Sequence, residues 1–306
     1  MEKTLTVLGS INVDHVINVP YFAQPGETLS GENYHLAYGG KGANQAVAAA
    51  RLGAKVAFIG CIGDDDIGTS MKKAFDQDGI DTSHIRSVPQ TMTGTAFIQV
   101  AKSGENSIVL ARGANDYLDE QTVRQSEPQI AQSDYLLMQL ETPLAAVILT
   151  AKIAKENGVK TVLNPAPAQP LPDTLLSRID IITPNETEAE ILTGMRVADE
   201  QSAVKAAQVF HQKGVDCVMI TLGAKGVFVS CKGESQIIQG FPVQAVDTTA
   251  AGDTFNGGFV AALLEGKPFA EAVRFAQAAA AISVTRQGAQ PSIPSKQETL
   301  AFLANA

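Results

Sequence analysis

Short apolar runs alternate with helical patterns along most of this 306-residue chain, and that alternation restricts the possible folds more than any other feature. The runs Val56–Gly60, Tyr135–Leu140, Thr161–Leu163, Ile179–Thr183 and Val218–Leu222 are mostly apolar, without the polar alternation of half-exposed strands. They read as strands covered on both faces. Between and after them lie helical patterns at Asn44–Leu52, Pro143–Glu156, Gln201–Lys213, Asp253–Glu265 and Phe269–Arg286, the second ending in the capping pair Asn157-Gly158. Such a series predicts an α/β fold: a doubly wound, mostly parallel sheet with helices on both faces. Two stretches, roughly 12–37 and 93–112, instead show short strands and turns with no helix between them. They predict a small β-sheet projecting from the main body, placed to cover a site or to pair with a second copy. We treat residues 1–306 as one domain carrying this β-lid.

Composition excludes several functions. The net charge is −9, so the surface repels phosphate backbones and anionic lipid, and neither nucleic acid nor membrane is expected as a partner. The longest segment free of Asp, Glu, Lys and Arg is Ser87–Ala101, too short to span a bilayer and interrupted by Pro89. A strand-like run from Leu5 to Val13 leaves no room for a signal peptide, so the expected location is the cytoplasm. Cys61, Cys217 and Cys231 form no C-x-x-C pair and are expected to be buried thiols. The four histidines show no metal-ligand spacing, and no G-x-S-x-G elbow occurs.

The segment from Asp247 to Gly258 carries the clearest chemistry. Small residues precede a helix, so the amides of Ala250, Ala251, Gly252 and Asp253 are able to converge on an anion at its N-terminus. A carboxylate at Asp253 would stand beside that anion, ready to accept a proton from an attacking hydroxyl; the alternative is a simple Asp cap on a packing helix. Tyr38-Gly39-Gly40-Lys41-Gly42-Ala43-Asn44-Gln45 exposes backbone and supplies one cation, but is neither a Walker A loop nor G-x-G-x-x-G. Asn12 and Asp14 follow a strand at alternate spacing, so they share a face and suit neighbouring sugar hydroxyls. Asn185 and Glu188 open a helix after another strand, where acidic groups either complement the helix dipole or hold magnesium-bound water. Glu141, Asn164, Thr221 and Gly223 also stand at strand ends, with Gly226 just beyond. Their common position there raises the odds of one shared site.

Taken together, these segments resemble the ribokinase family of sugar kinases, also called the PfkB carbohydrate kinases. The resemblance rests on Gly39-Gly40-Lys41-Gly42-Ala43-Asn44-Gln45 and on Asp247-Thr248-Thr249-Ala250-Ala251-Gly252-Asp253-Thr254-Phe255, and it extends over Asn164–Ala168 and Thr183–Glu188. It implies phosphoryl transfer from ATP with Mg²⁺ to O5 of D-ribose, Asp253 as general base, and an anion hole at Ala250, Ala251 and Gly252. It further implies sugar contacts at Asn12, Asp14, Gly39, Gly40, Lys41, Asn44 and Glu141, with Asp253 also in reach. Nucleotide contacts are implied at Asn185, Glu188, Thr221, Gly223, Gly226, Ala251, Gly252 and Gln277. An activating K⁺ is implied near Asp247, Thr249, Ser283, Arg286, Gly288 and Ser292, and a homodimer through the lids. Two departures stand out. Ala250 replaces a glycine, so a slightly different loop is expected there, and Gln277 stands where related enzymes often carry His or Asn near the base. The rival readings are a family kinase for another sugar or a nucleoside, a dinucleotide-dependent dehydrogenase, and a sugar-binding regulator without catalysis. Few aromatic residues and no tryptophan weigh against a nucleoside, the missing G-x-G-x-x-G against a dehydrogenase and the intact Asp253 segment against a silent binder, which leaves another sugar as the alternative.

Overall fold

The computed structural model describes residues 3–306. Its strands are β1 (Thr4–Leu8), β2 (Asn12–Val19), β3 (Glu32–Gly39), β4 (Lys55–Gly63), β5 (Ile85–Val88), β6 (Gly94–Ala101), β7 (Asn106–Ala111), β8 (Tyr135–Met138), β9 (Lys160–Leu163), β10 (Ile181–Ile182), β11 (Cys217–Thr221), β12 (Val227–Cys231) and β13 (Glu234–Ile238). The helices are α1 (Lys41–Arg51), α2 (Asp66–Gln77), α3 (Glu120–Gln125), α4 (Glu127–Ala131), α5 (Leu144–Glu156), α6 (Asp173–Leu176), α7 (Glu186–Thr193), α8 (Glu200–Gln212), α9 (Ala251–Leu264), α10 (Phe269–Ser283) and α11 (Lys296–Ala304). Among the described residues no helix is long and apolar enough to cross a membrane.

Nine strands form one sheet in the order β13-β12-β11-β10-β9-β8-β1-β4-β5, parallel from β11 through β5. Apolar side chains leave both faces of these strands, so one core forms against α1, α9 and α10 and another against α5 and α8. The Gly- and Ala-rich helix α9 is buried on nearly every side, because small residues allow α1 and α10 to approach closely. The remaining four strands form a separate sheet, β3-β2-β6-β7, in the place expected for the lid.

Several expectations shift. The apolar run Leu5–Val13 is not one strand: β1 ends at Leu8 and β2 begins at Asn12 in the other sheet. Gly9, Ser10 and Ile11 make the passage between them, packed against the N-terminus of α1. The expected Ile179–Thr183 strand shortens to two residues, and the last long helix stops at Ser283. An antiparallel hairpin, β12–β13, extends the sheet, and α2 adds a helix that the sequence reading did not single out. The cysteines also need correction. Cys217 and Cys231 face each other across β11 and β12, with Cα atoms 4.4 Å apart, and are joined as a disulfide. That separation is typical of a narrow antiparallel pair, a register no cysteine spacing rule detects. Cys61 alone is a free thiol, buried so that its pKa is pushed up to about 12.

Candidate functional site

Strand order reverses around β1, where the chain first adds β4 and β5 on one side and later β8 to β11 on the other. Crevices at such reversals, beyond the carboxyl ends of the strands, receive ligands in open α/β sheets. Here the first turns of α1 and α9 meet. Asp253 in α9 is only 7% exposed; its Oδ2 accepts a hydrogen bond from Asn44 Nδ2 at 3.0 Å and its Oδ1 one from Gln45 Nε2 at 2.9 Å. Burial pushes its carboxyl above the ordinary range, while the Lys41 charge and the two amide donors oppose that shift without cancelling it.

Beside Asp253 lies a cavity of about 210 Å³ lined by Lys41, Asn164, Ala166, Thr183, Asn185, Glu188, Thr221, Thr248, Ala250, Ala251, Gly252, Asp253 and Asn256. A larger cleft of about 740 Å³, between β3, α2 and residues 287–291, contains none of these groups. Size therefore does not mark the chemistry; convergent polar groups do. The N–H groups of Gly252 and Asp253, in the first turn of α9, have no acceptor among the described residues, whereas Ala251 N donates to Thr248 O at 3.2 Å. Ala250 adopts φ 58°, ψ 13°, so it takes up the left-handed geometry in which the sequence reading expected a departure. A left-handed Ala costs about 1–2 kcal/mol, partly offset by the smaller entropy of its unfolded chain. Ala250→Gly is accordingly expected to raise Tm by up to a few degrees in a thermal melt, and a lower Tm would show that Ala250 is not strained.

Lys41 joins the carboxylates around it. Burial opposes its charge, but Asp253, Glu141 and Glu188 outweigh that and hold the ammonium above its usual pKa. Glu141 Oε2 accepts from Ser10 Oγ at 2.6 Å and from the Lys41 backbone N at 2.9 Å, tying the end of β8 to the start of α1. Gly39 ends β3 against the Asp14 carboxylate, and Gly40 caps α1 beside Ser10 and Asn12. Asn12 and Asp14 share one face of β2, opposite Gly94 and Ala96 of β6. Burial, helped by the charges of Glu141 and Asp253, raises Asp14 to about 7. A carboxyl with a raised folded pKa stabilises the fold at low pH and loses that contribution as pH climbs from about 4 to about 7. Asp14→Asn is therefore expected to raise Tm by a few degrees at pH 8, with the gap narrowing towards pH 4; equal Tm at both values would refute this.

Asn185 and Glu188 form a reciprocal capping box at the N-terminus of α7: Asn185 Oδ1 accepts from Glu188 N at 2.8 Å and Glu188 Oε2 from Asn185 N at 2.9 Å. Burial raises the Glu188 carboxyl. Thr221 reaches the same cavity, but Gly223, Gly226 and Gln277 do not line it. Gly226 packs under Ile238 O, which also accepts from Gln277 Nε2 at 2.8 Å, so these residues form a shelf farther out. Asp247 Oδ1 accepts from Thr249 N and Oγ1, and its Oδ2 from Gly288 N at 2.9 Å. Burial opposes its ionisation, but these donors outweigh it and keep Asp247 anionic. Arg286 pairs with Glu298 at 2.7 Å instead. Ser283 and Ser292 turn their hydroxyls to Ala280 O and Ala289 O.

The structure adds residues that sequence reasoning did not assign. Gln45 is fully buried: its Nε2 donates to Asp253 and to Asn164 Oδ1 at 3.0 Å, and its Oε1 accepts from Gln139 Nε2 at 2.7 Å. Asn256 Nδ2 donates to Gly252 O at 2.8 Å while its Oδ1 accepts from Thr183 Oγ1 at 2.7 Å, anchoring the first turn of α9 to the end of β10. Gln139 had a usable signal, a polar residue inside the apolar run Tyr135–Leu140.

Several known proteins are similar to this chain over nearly its whole length. The chain is 77% identical to a ribokinase of Haemophilus influenzae over 306 residues, all of both chains. It is 45% identical to a ribokinase of Staphylococcus aureus, over 97% of this chain and 99% of that one. An Arabidopsis thaliana ribokinase solved with ribose and ATP superposes with TM-score 0.92 at 35% identity, covering 99% of each chain. Residues 2–296 match the model of the pfkB family carbohydrate kinases, with the buried carboxylate and free amides of α9 in place, and the chain belongs to that family.

Proposed function

We propose that the protein phosphorylates D-ribose at O5 with ATP, with Asp253 as the general base. The observation that carries this is the juxtaposition of a buried carboxylate with unpaired amides at the N-terminus of one helix. The Asp253 carboxylate takes the proton of the O5 hydroxyl, and the oxygen attacks the γ-phosphorus as ADP leaves. Donors Asn44 and Gln45 favour the ionised base that burial disfavours. The unpaired amides of Gly252 and Asp253, with Ala250 and Ala251 beside them on the cavity wall, would face the transferred group, where charge stabilisation and positioning supply most of the catalysis.

Asn12, Asp14, Gly39, Gly40, Lys41, Asn44 and Glu141 hold the sugar on one side of Asp253. Asn185, Glu188, Thr221, Gly223, Gly226 and Gln277 receive the nucleotide on the other. Among the described residues no cluster of three or more His, Cys, Asp or Glu could hold a metal. Mg²⁺ would arrive on ATP with its water shell, part of which Glu188 on the cavity wall would order. K⁺ would be held beside Asp247, an anionic carboxylate without a cationic partner among the described residues, by oxygens drawn from Thr249, Ser283, Arg286, Gly288 and Ser292. It would steady the loop that precedes the amides. A cytoplasmic setting, where ATP is abundant, belongs to the same reading.

The lid supports a dimer. Leu36, His15, Phe97 and Val109 lie in register on one face across all four lid strands, and Leu36, Phe97 and Val109 are 50%, 51% and 65% exposed. An apolar row of this kind asks for a partner, here a second lid. Phe97→Glu is expected to convert a dimer to a monomer in sedimentation; an unchanged sedimentation coefficient would remove the lid from the interface. The central test is ADP release from Mg·ATP and K⁺ with and without D-ribose, against a panel of sugars and nucleosides. Ribose-dependent release supports the reading, and release driven only by another acceptor overturns the sugar assignment.

A further inference from the structure

Asn115 belongs to no set of residues assigned above, yet it holds the entrance to the lid together. It is 2% exposed, in a short 3-10 helix, Gly113–Tyr117, that follows β7. Its Oδ1 accepts from Ile11 N at 2.9 Å, and its Nδ2 donates to Ile11 O at 3.0 Å and to Asn12 Oδ1 at 2.8 Å. The two ends of a side-chain amide have the same shape, so its partners decide which end is oxygen, and here they allow one orientation. A backbone N–H only donates and a backbone C=O only accepts, so Ile11 dictates which end of Asn115 is oxygen. The second hydrogen on Asn115 Nδ2 then dictates that Asn12 turns its oxygen inward. Gly94 seals the pair, since a Cβ there would overlap both amides.

We infer that Asn115 is a positioning residue that makes Asn12 a hydrogen-bond donor to the sugar, so that the acceptor must offer a hydroxyl oxygen at that point. Asn12 Nδ2 has no partner among the described residues, and Asn12, Asn115 and Glu141 line one small pocket under Leu110 of the lid. Asp14, on the same face of β2, supplies the complementary acceptor. One wall thus presents a donor and then an acceptor, a polarity suited to two neighbouring hydroxyls. A sugar lacking the hydroxyl that Asn12 addresses leaves a buried N–H unpaired, which is where discrimination arises. The inference rests on the sugar-site reading of Asn12.

Ribose binding measured by calorimetry, in the absence of nucleotide, tests it through Asn115→Ala, Asn12→Ala and the double variant. Asn115→Ala and Asn12→Ala are each expected to weaken ribose binding by about tenfold, the worth of one neutral hydrogen bond to a buried group. The double variant is expected to match Asn12→Ala within about twofold, because one residue acts through the other. Asn115→Asp, which keeps the acceptor for Ile11 N–H but repels Asn12 Oδ1, is expected to do the same and serves if the alanine variant does not fold. Discrimination between ribose and its 2-deoxy and 3-deoxy analogues should shrink in both Asn115 variants, which a merely structural residue would not cause. Unchanged ribose affinity in a folded Asn115 variant, or multiplicative losses in the double variant, overturns the inference alone. Unchanged affinity in Asn12→Ala overturns the sugar-site reading along with it.

Discussion

Asp253→Asn is expected to lower kcat by about 10²–10⁴-fold, the usual range for loss of a general base, while ribose affinity stays within about tenfold. The site can absorb the new amide. Gln45 is locked by Gln139 and Asn164 and must donate to residue 253, so the substituted side chain would turn its oxygen that way. Its nitrogen would then meet Asn44, whose Oδ1 is buried and has no partner. Asn44 rotates and accepts, and the cavity keeps its shape. The variant therefore separates proton removal from binding: steady-state kinetics should show a collapse in turnover with a modest change in KM. Turnover within tenfold of the native enzyme would sink the base assignment.

Gly42→Ala is expected to damage both fold and catalysis, although Gly42 contacts no substrate in this reading. A Cβ at Gly42 would lie 2.5 Å from Gly9 C and 2.5 Å from Ser10 N, both backbone atoms that no rotamer change can move. The first turn of α1 would have to lift from the β1–β2 passage. That strains the Gly42 N and Ala43 N bonds to Ser10 and the junction of Ser10 and Lys41 with Glu141. Overpacking of this kind costs about 1–3 kcal/mol, or roughly 2–5 °C in Tm for a chain of this size. Asn44 and Gln45 would move with the helix, and displacement of about 1 Å in a catalytic constellation costs on the order of 10²-fold in rate. Melting curves and kcat/KM read both effects; a variant normal in each would mean that the contact relaxes freely.

Much of this site was legible because the chemistry sits in contiguous segments. Tyr38–Gln45 and Asp247–Gly258 each bring glycine, a charge and an amide or carboxylate within one helical turn, and local geometry fixes how such groups can point. The lid was legible for a similar reason: strand patterns without helices between them have no place in a doubly wound sheet, and two separate sheets are present. Gln45 shows the boundary. It lies inside a motif that drew attention, yet its role exists only because Gln139, Asn164 and Asp253 arrive from β8, the end of β9 and α9.

Periodicity and turn chemistry within the chain determined the fold class, the lid and the polar residues at strand ends, since those depend on neighbours a few positions apart. Tertiary structure alone decided which of those ends meet and which way the amides face. Ile11 reaches Asn115 across 104 positions, and Asn44 reaches Asp253 across 209. Tertiary structure likewise decided that Cys217 opposes Cys231, and that Ala250 is held left-handed. Each of these depends on strand order and close packing between distant segments, and a hydrogen bond has a direction only once both partners are in place.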